Sequence, residues 1–187
     1  MHSSTLRRPL LAAALACVAA PAIGGSAVAD IIFPGSGPYA GTKRTYFVIT
    51  AKHSGLNLNV PEASTKNGTQ IIQWKQPGAM NEQWEYVGGF KVRNRWSRQC
   101  LTVDSKAQGA PVVQRPCDGS PGQDWVKVTR QDDGGDWTYF NLRSMWSGLE
   151  LNVEGGSGQY GAKVVQWSHV PMSPNAMFSH TGTQVTD

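Results

Sequence analysis

The sequence predicts an all-β domain, a closed antiparallel barrel assembled from three copies of one unit. Three observations lead there. The 187 residues include 21 Gly and 11 Pro, which punctuate the chain too often for a helical bundle and too rarely for collagen or a low-complexity segment. No window of a dozen residues carries a helical apolar stripe free of Gly or Pro, whereas Leu56-Asn57-Leu58-Asn59-Val60 and Phe90-Lys91-Val92-Arg93-Asn94 alternate with the period of half-buried strands. One group of motifs also recurs three times in the same order, and short repeated strands leave no open edges when they close into a barrel.

Composition sets the outer bounds. A hydrophobic content of 40% can build a core, which argues against wholesale disorder. Only 16% of residues are charged, against about 25% in an ordinary soluble domain, while 7 are Trp, a mixture that describes a weakly charged surface carrying aromatic platforms.

From the N-terminus, residues 1–29 read as an export signal: Arg7 and Arg8 at the charged end, an apolar stretch from Leu10 to Ala20, and Ala27-Val28-Ala29 as a small-residue cleavage site. That stretch falls short of the ~20 residues that cross a bilayer, and no later stretch is longer, so no membrane span is expected. Cleavage removes two arginines and lowers the net charge from +4 to +2, leaving no basic run for a nucleic-acid partner. Pro9 directly after Arg7-Arg8 favours general secretory export, in a bacterial style, over the twin-arginine route. Leu15-Ala16-Cys17 weakly matches a lipoprotein box, making lipid anchoring at Cys17 the minor alternative to full secretion. Residues 30–44, rich in Gly, Pro and Ser, read as a lead-in or linker, and residues 45–187 as one domain with repeats at about 45–87, 88–129 and 136–182.

Each repeat opens with one block. Ser54-Gly55-Leu56-Asn57-Leu58-Asn59-Val60 returns as Ser97-Arg98-Gln99-Cys100-Leu101-Thr102-Val103 and as Ser147-Gly148-Leu149-Glu150-Leu151-Asn152-Val153. A second block, Gly68-Thr69-Gln70-Ile71-Ile72-Gln73-Trp74, corresponds to residues 109–115 ending in Gln114-Arg115, and to residues 161–167 ending in Gln166-Trp167. A third closes the unit as Glu82-Gln83-Trp84, Gln123-Asp124-Trp125 and Ala176-Met177-Phe178. Trp84, Trp125 and Phe178 therefore share a column expected in the core. Trp74 and Trp167 share another, and Trp96 and Trp146 share a third with His53, expected to cover a barrel end or hairpin.

Cys100 and Cys117 remain after the signal, an even number in an exported chain, and a disulfide between them is expected. Cys100 shares a column with Asn57 and Glu150, and Cys117 with Gln76 and His169; only the middle repeat has both thiols. Two cysteines without a nearby His do not make a structural zinc site. The acidic turn Asp132-Asp133-Gly134-Gly135-Asp136 lacks the ligand spacing of a calcium loop and reads as solvated. No metal and no cofactor are expected.

With the three blocks in place, the chain resembles the ricin-B-type β-trefoil lectins, carbohydrate-binding modules marked by a Gln-x-Trp block closing each repeat. Gln123-Asp124-Trp125 matches that block fully, Glu82-Gln83-Trp84 has lost its first Gln, and Ala176-Met177-Phe178 keeps only an aromatic. The resemblance implies a β-trefoil and shallow sugar pockets, each made by an acidic or amide residue of the first block, an aromatic of the second and an Asn before the third. Carried over, the first repeat offers Asn59, Trp74 and Asn81, and the third offers Asn152, Trp167 and Asn175. The middle repeat offers Thr102, Arg115 and Gly122, which lack the stacking ring and the amide, so two pockets and one structural repeat are expected. An indole covers the C–H face of a pyranose at small entropic cost, and an amide both donates to and accepts from hydroxyls. Galactose-binding members usually carry Asp where this chain has Asn59 and Asn152, so galactose preference is not implied.

Enzyme chemistry finds no footing. No Gly-x-Ser-x-Gly elbow, His-Glu-x-x-His pair or phosphate loop is present, and the four His are scattered at 2, 53, 169 and 180. The expectation is a secreted, non-catalytic lectin for a neutral glycan or polysaccharide. The alternatives are a β-trefoil protease inhibitor and a non-catalytic targeting subunit of a secreted toxin or hydrolase, since a fold does not by itself decide function.

Overall fold

The computed structural model describes residues 43–186; the export signal and residues 30–42 of the expected lead-in lie outside them. The short β-branched and alternating runs become strands and the Gly-Pro-Asn segments the turns between them. In chain order these are β1 (Lys43–Ala51), β2 (Asn57–Asn59), β3 (Ile72–Trp74), β4 (Gln83–Val87), β5 (Lys91–Asn94), β6 (Cys100–Val103), β7 (Val112–Arg115), β8 (Trp125–Val128), β9 (Asn141–Ser144), β10 (Glu150–Val153), β11 (Val164–Trp167) and β12 (Phe178–Thr186).

Six of these make the barrel wall. β1 pairs with β12 from Lys43↔Thr186 to Ala51↔Phe178, and with β4 at Phe47↔Trp84. β4 pairs with β5 and β8 with β9. The ring closes through Trp125 N–H to the Phe90 carbonyl at 2.8 Å and through reciprocal 2.8 Å bonds between Phe140 and Phe178. The remaining strands form three hairpins, β2–β3, β6–β7 and β10–β11. Bridges Gln70↔Val113, Ile72↔Lys163 and Pro111↔Val165 join them into a triangular cap. A barrel of three repeats under such a cap is the β-trefoil the resemblance implied.

The expected core column is the core. Trp84, Trp125 and Phe178 are buried among Leu58, Leu101, Leu151 and the Val and Ile residues of the cap. The indoles of Trp84 and Trp125 donate to the Leu58 and Leu101 carbonyls, each at 3.0 Å, so burial leaves neither N–H unpaired. Phe178 fills the third place without a polar atom to satisfy.

The repeats hold one another in a fixed rotation. Gln73 Nε2 donates to the Ser157 and Gln159 carbonyls of repeat three, at 2.7 and 2.8 Å. Gln166 Nε2 reaches Ser105 and Ala107 of repeat two, and Gln114 Nε2 reaches Ser64 and Lys66 of repeat one. The third aromatic column follows the same rotation: His53 Nε2 meets the Ser157 carbonyl, and Trp96 Nε1 donates to the Ala63 carbonyl.

One pair of columns is tied three different ways. In repeat two Cys100 and Cys117 form the expected disulfide. In repeat three the same columns hold Glu150 and His169, with Oε2 and Nδ1 3.1 Å apart. In repeat one the buried Glu82 bridges them, accepting from Asn57 Nδ2 at 2.9 Å and from the Gln76 N–H at 2.8 Å.

Candidate functional site

The third repeat gathers its three candidate residues around one concavity. β10 supplies Asn152, β11 ends on Trp167, and the loop entering β12 supplies Asn175. All three line a cavity of about 240 Å³ together with Gly109, Glu154, Gly155, Val165, Val170 and Ser173. Trp167 is 41% exposed, so one ring face is open to a ligand. Its far edge lies over Gly109 of repeat two, where an added Cβ would stand 3.4 Å from the ring. The wall of this cavity thus comes from two repeats.

Hydrogen bonds fix how the amides point. Asn175 Nδ2 donates to Asn152 Oδ1 at 2.8 Å and to the Val153 carbonyl at 3.0 Å, while its Oδ1 accepts from Ser173 Oγ at 2.6 Å. With its oxygen engaged, Asn152 presents Nδ2 as a donor. Glu154, which sequence reasoning passed over, adds a carboxylate to the rim. A signal for it exists: Glu154 follows Val153 as Asp104 follows Val103, and Asp104 grips Arg115 in the platform column.

In the first repeat β2, β3 and the turn before β4 carry Asn59, Trp74 and Asn81 in the corresponding places. Trp74 is 39% exposed, and it meets Tyr160 of repeat three edge-on at 5.0 Å between ring centres. The two asparagines are buried and engaged: Asn81 Nδ2 donates to the Val60 carbonyl at 2.8 Å, and Asn59 Nδ2 donates to Glu82 Oε1 at 3.1 Å. A carboxylate only accepts, so Asn59 must turn its nitrogen inward and present Oδ1 as an acceptor. The first and third repeats therefore engage opposite poles of the same amide internally, nitrogen in Asn59 and oxygen in Asn152. Tyr160 was also passed over in the sequence; it occupies the column of Asn67 and Gln108, and Asn67 likewise meets the neighbouring platform residue, Arg115.

The middle repeat closes its own equivalent place. Arg115 is held by a two-pronged ion pair to Asp104 and by Asn67 Oδ1 at 3.0 Å. The hydrogen bonds it donates to Asp104 keep the guanidinium above its ordinary pKa. Thr102 Oγ1 donates to the Cys100 carbonyl at 2.9 Å. Gly122, in the column of Asn81 and Asn175, lies so close to strand β6 that a Cβ would sit 1.9 Å from the Val103 carbonyl oxygen.

A family model described as the ricin-type beta-trefoil lectin domain matches residues 45–178. A comparison with curated proteins finds no match. Among solved structures, a designed threefold-symmetric protein, ThreeFoil, is 34% identical with a TM-score of 0.66, covering 73% of this chain and 97% of its own. An exo-β-1,3-galactanase from Clostridium thermocellum is 29% identical with a TM-score of 0.66 over 73% of this chain, and the match spans only 30% of the galactanase chain. A ricin B-like lectin from Macrolepiota procera, solved in complex with lactose, shares the fold at 17% identity, with a TM-score of 0.60 over 75% of this chain and 95% of its own.

Proposed function

The chain belongs to the ricin-type β-trefoil lectin family, and from that premise we propose that it is an exported, non-catalytic lectin whose principal pocket is the cavity of the third repeat. The observation that carries the reading is the convergence of Asn152, Trp167 and Asn175 on one concavity of about 240 Å³. Trp167 stacks on the C–H face of a pyranose, Asn152 Nδ2 donates to a hydroxyl oxygen, and Glu154 accepts a hydrogen bond from a hydroxyl. Trp74, backed by the buried Asn59 and Asn81 and flanked by Tyr160, is assigned as a second, weaker stacking site. A neutral glycan or polysaccharide suits a surface with few charges, and export agrees with the signal-like residues 1–29 and with the disulfide. Single shallow sites of this kind bind at about 1 mM, or roughly −4 kcal/mol, and gain by engaging a repetitive glycan together.

The test is a glycan array with the wild-type protein and the variants Trp167→Ala and Trp74→Ala. Loss of most binding in Trp167→Ala and a smaller loss in Trp74→Ala are expected. Binding that survives both substitutions refutes the assignment, and so does an array on which no glycan is bound. The galactanase, matched over 30% of its chain, favours a second reading in which this lectin serves as the targeting part of a secreted enzyme assembly; co-purification of a glycoside hydrolase from the source secretome would support it.

A further inference from the structure

Beside the third cavity, the turn Gln131–Asp133 and the start of the loop after β11 bring together side chains that the lectin reading does not use. His169 lies at the centre. Its Nε2 is 3.3 Å from Asp132 Oδ2 and 4.0 Å from Asp133 Oδ1, and its Nδ1 is 3.1 Å from Glu150 Oε2. Arg130 Nη1 stands 2.5 Å from Glu150 Oε1. One ligand atom from each of Asp132, Asp133 and His169 falls within 4.8 Å of the other two.

A second observation concerns Asp133 alone. It is only 6% exposed. Its Oδ1 accepts the Met172 N–H at 3.0 Å, while its Oδ2 is shielded from solvent and has no hydrogen-bond partner among the described residues. A buried carboxylate oxygen without a partner is costly to maintain.

Charge and tautomer point the same way. Asp132, Asp133 and Glu150 carry three negative charges against one on Arg130, so with His169 neutral the cluster holds two uncompensated negative charges. Arg130 Nη1 also lies 3.2 Å from His169 Nδ1, but its nearer partner is Glu150 Oε1. With both Arg130 and Nδ1–H donating to the buried Glu150, Nε2 turns its lone pair toward both aspartates. A carboxylate that orients an imidazole whose other nitrogen faces further carboxylates is the arrangement of a histidine bound to a metal ion.

We propose that Asp132, Asp133 and His169 bind a divalent transition-metal ion of the zinc class, with Glu150 orienting the imidazole. Bonds of about 2.0–2.1 Å in tetrahedral geometry separate ligand atoms by roughly 3.3–3.4 Å, close to the Nε2–Oδ2 distance, and leave a fourth position for water. An imidazole ligand and so few oxygens are poorly suited to calcium, which takes six to eight oxygens. The exposed Asp132 provides the entry side. The ion would clip the turn 131–133 to the loop that carries Val170 and Ser173 of the third cavity. The sequence concealed this site because His169 is remote in the chain from the acidic turn. The proposal stands apart from the lectin reading.

Calorimetric titration of the tag-free full chain with Zn²⁺, Ca²⁺ and Mg²⁺ tests it. One Zn²⁺ per chain is expected, with neither Ca²⁺ nor Mg²⁺ competing at equal concentration. Asp133→Asn and His169→Gln should abolish binding, and Glu150→Gln should weaken it by about 10- to 100-fold. Visible absorption of the Co²⁺-loaded wild-type protein gives a readout that needs no variant, and tetrahedral nitrogen–oxygen bands are expected. Absence of a stoichiometric site, tighter binding of Ca²⁺ than Zn²⁺, or unchanged Zn²⁺ affinity in folded Asp133→Asn and His169→Gln overturns the proposal.

Discussion

Asn59→Asp restores the residue usual at this position in galactose-binding relatives, and it should be severely destabilising here. Asn59 Nδ2 lies 3.1 Å from Glu82 Oε1, and both side chains are buried. Replacing the amide with a carboxylate removes a donor to a charged acceptor, worth about 1.5–3 kcal/mol. It also sets two negative charges face to face, and at that separation an effective dielectric near 20 gives about 5 kcal/mol of repulsion. The cheaper escape is uptake of one proton, which for a carboxyl of ordinary pKa near 3.9 costs about 4 kcal/mol at pH 7. The folded variant then holds a proton that the unfolded chain releases, so its deficit grows by about 1.4 kcal/mol per pH unit from about pH 4 upward. Asn152→Asp is the control: Asn175 Nδ2 still donates to the new carboxylate, and the expected cost is below about 1 kcal/mol. Urea denaturation of both variants at pH 5, 6 and 7 measures the difference. Asn59→Asp/Glu82→Gln should recover most of the loss by removing one of the two charges. Equal losses in the two single variants, or a pH-independent loss in Asn59→Asp, would refute this account of why the acid sits at position 82 and the amide at 59.

Three further outcomes follow from particular contacts. Replacing Cys100 and Cys117 by Ala should cost about 3 kcal/mol in guanidinium titration, the chain-entropy value for a bridge spanning 17 residues, and a loss under about 1 kcal/mol would contradict it. Gly122→Ala should cost about 3 kcal/mol or more because its Cβ would meet the Val103 carbonyl at 1.9 Å, so Gly122→Asn cannot install a third pocket; a Gly122→Ala protein of wild-type stability would show that this loop moves freely. Desolvation where its ring packs against Phe47 and Phe140, with the Lys127 charge added, holds the His180 imidazole below its ordinary pKa. The unfolded chain therefore takes up that proton first, and stability should fall as pH drops below about 6.5; a melting-temperature profile unchanged in His180→Gln would remove His180 as the cause.

Much of this architecture could be read from the chain because its signals are periodic. Trp84, Trp125 and Phe178 recur at matched places, and residues that recur at matched places in a threefold barrel face the same centre. The candidate pocket residues were legible as residue types but not as orientations. Whether an Asn presents oxygen or nitrogen depends on what lies behind it, Glu82 in one repeat and Asn175 in another, and that is decided across the fold. Tyr160 and Gly109 escaped for a related reason: each serves the platform of a neighbouring repeat, whereas motif reading works within one. The Glu150–His169 tie was visible as a match to the cysteine columns, yet only the distance between the two side chains gives it meaning.

The rotation of contacts between repeats has a topological consequence. Repeat one leans on three, three on two, and two on one, through Gln73, Gln166 and Gln114. In a solenoid the chain ends expose a bare interface that needs a specialised capping repeat. A ring has no such ends, so every repeat is both host and guest, and excising one strips a partner from both of the others. A single-repeat fragment should accordingly be stable only by assembling as three separate chains, with the handedness of the intact molecule.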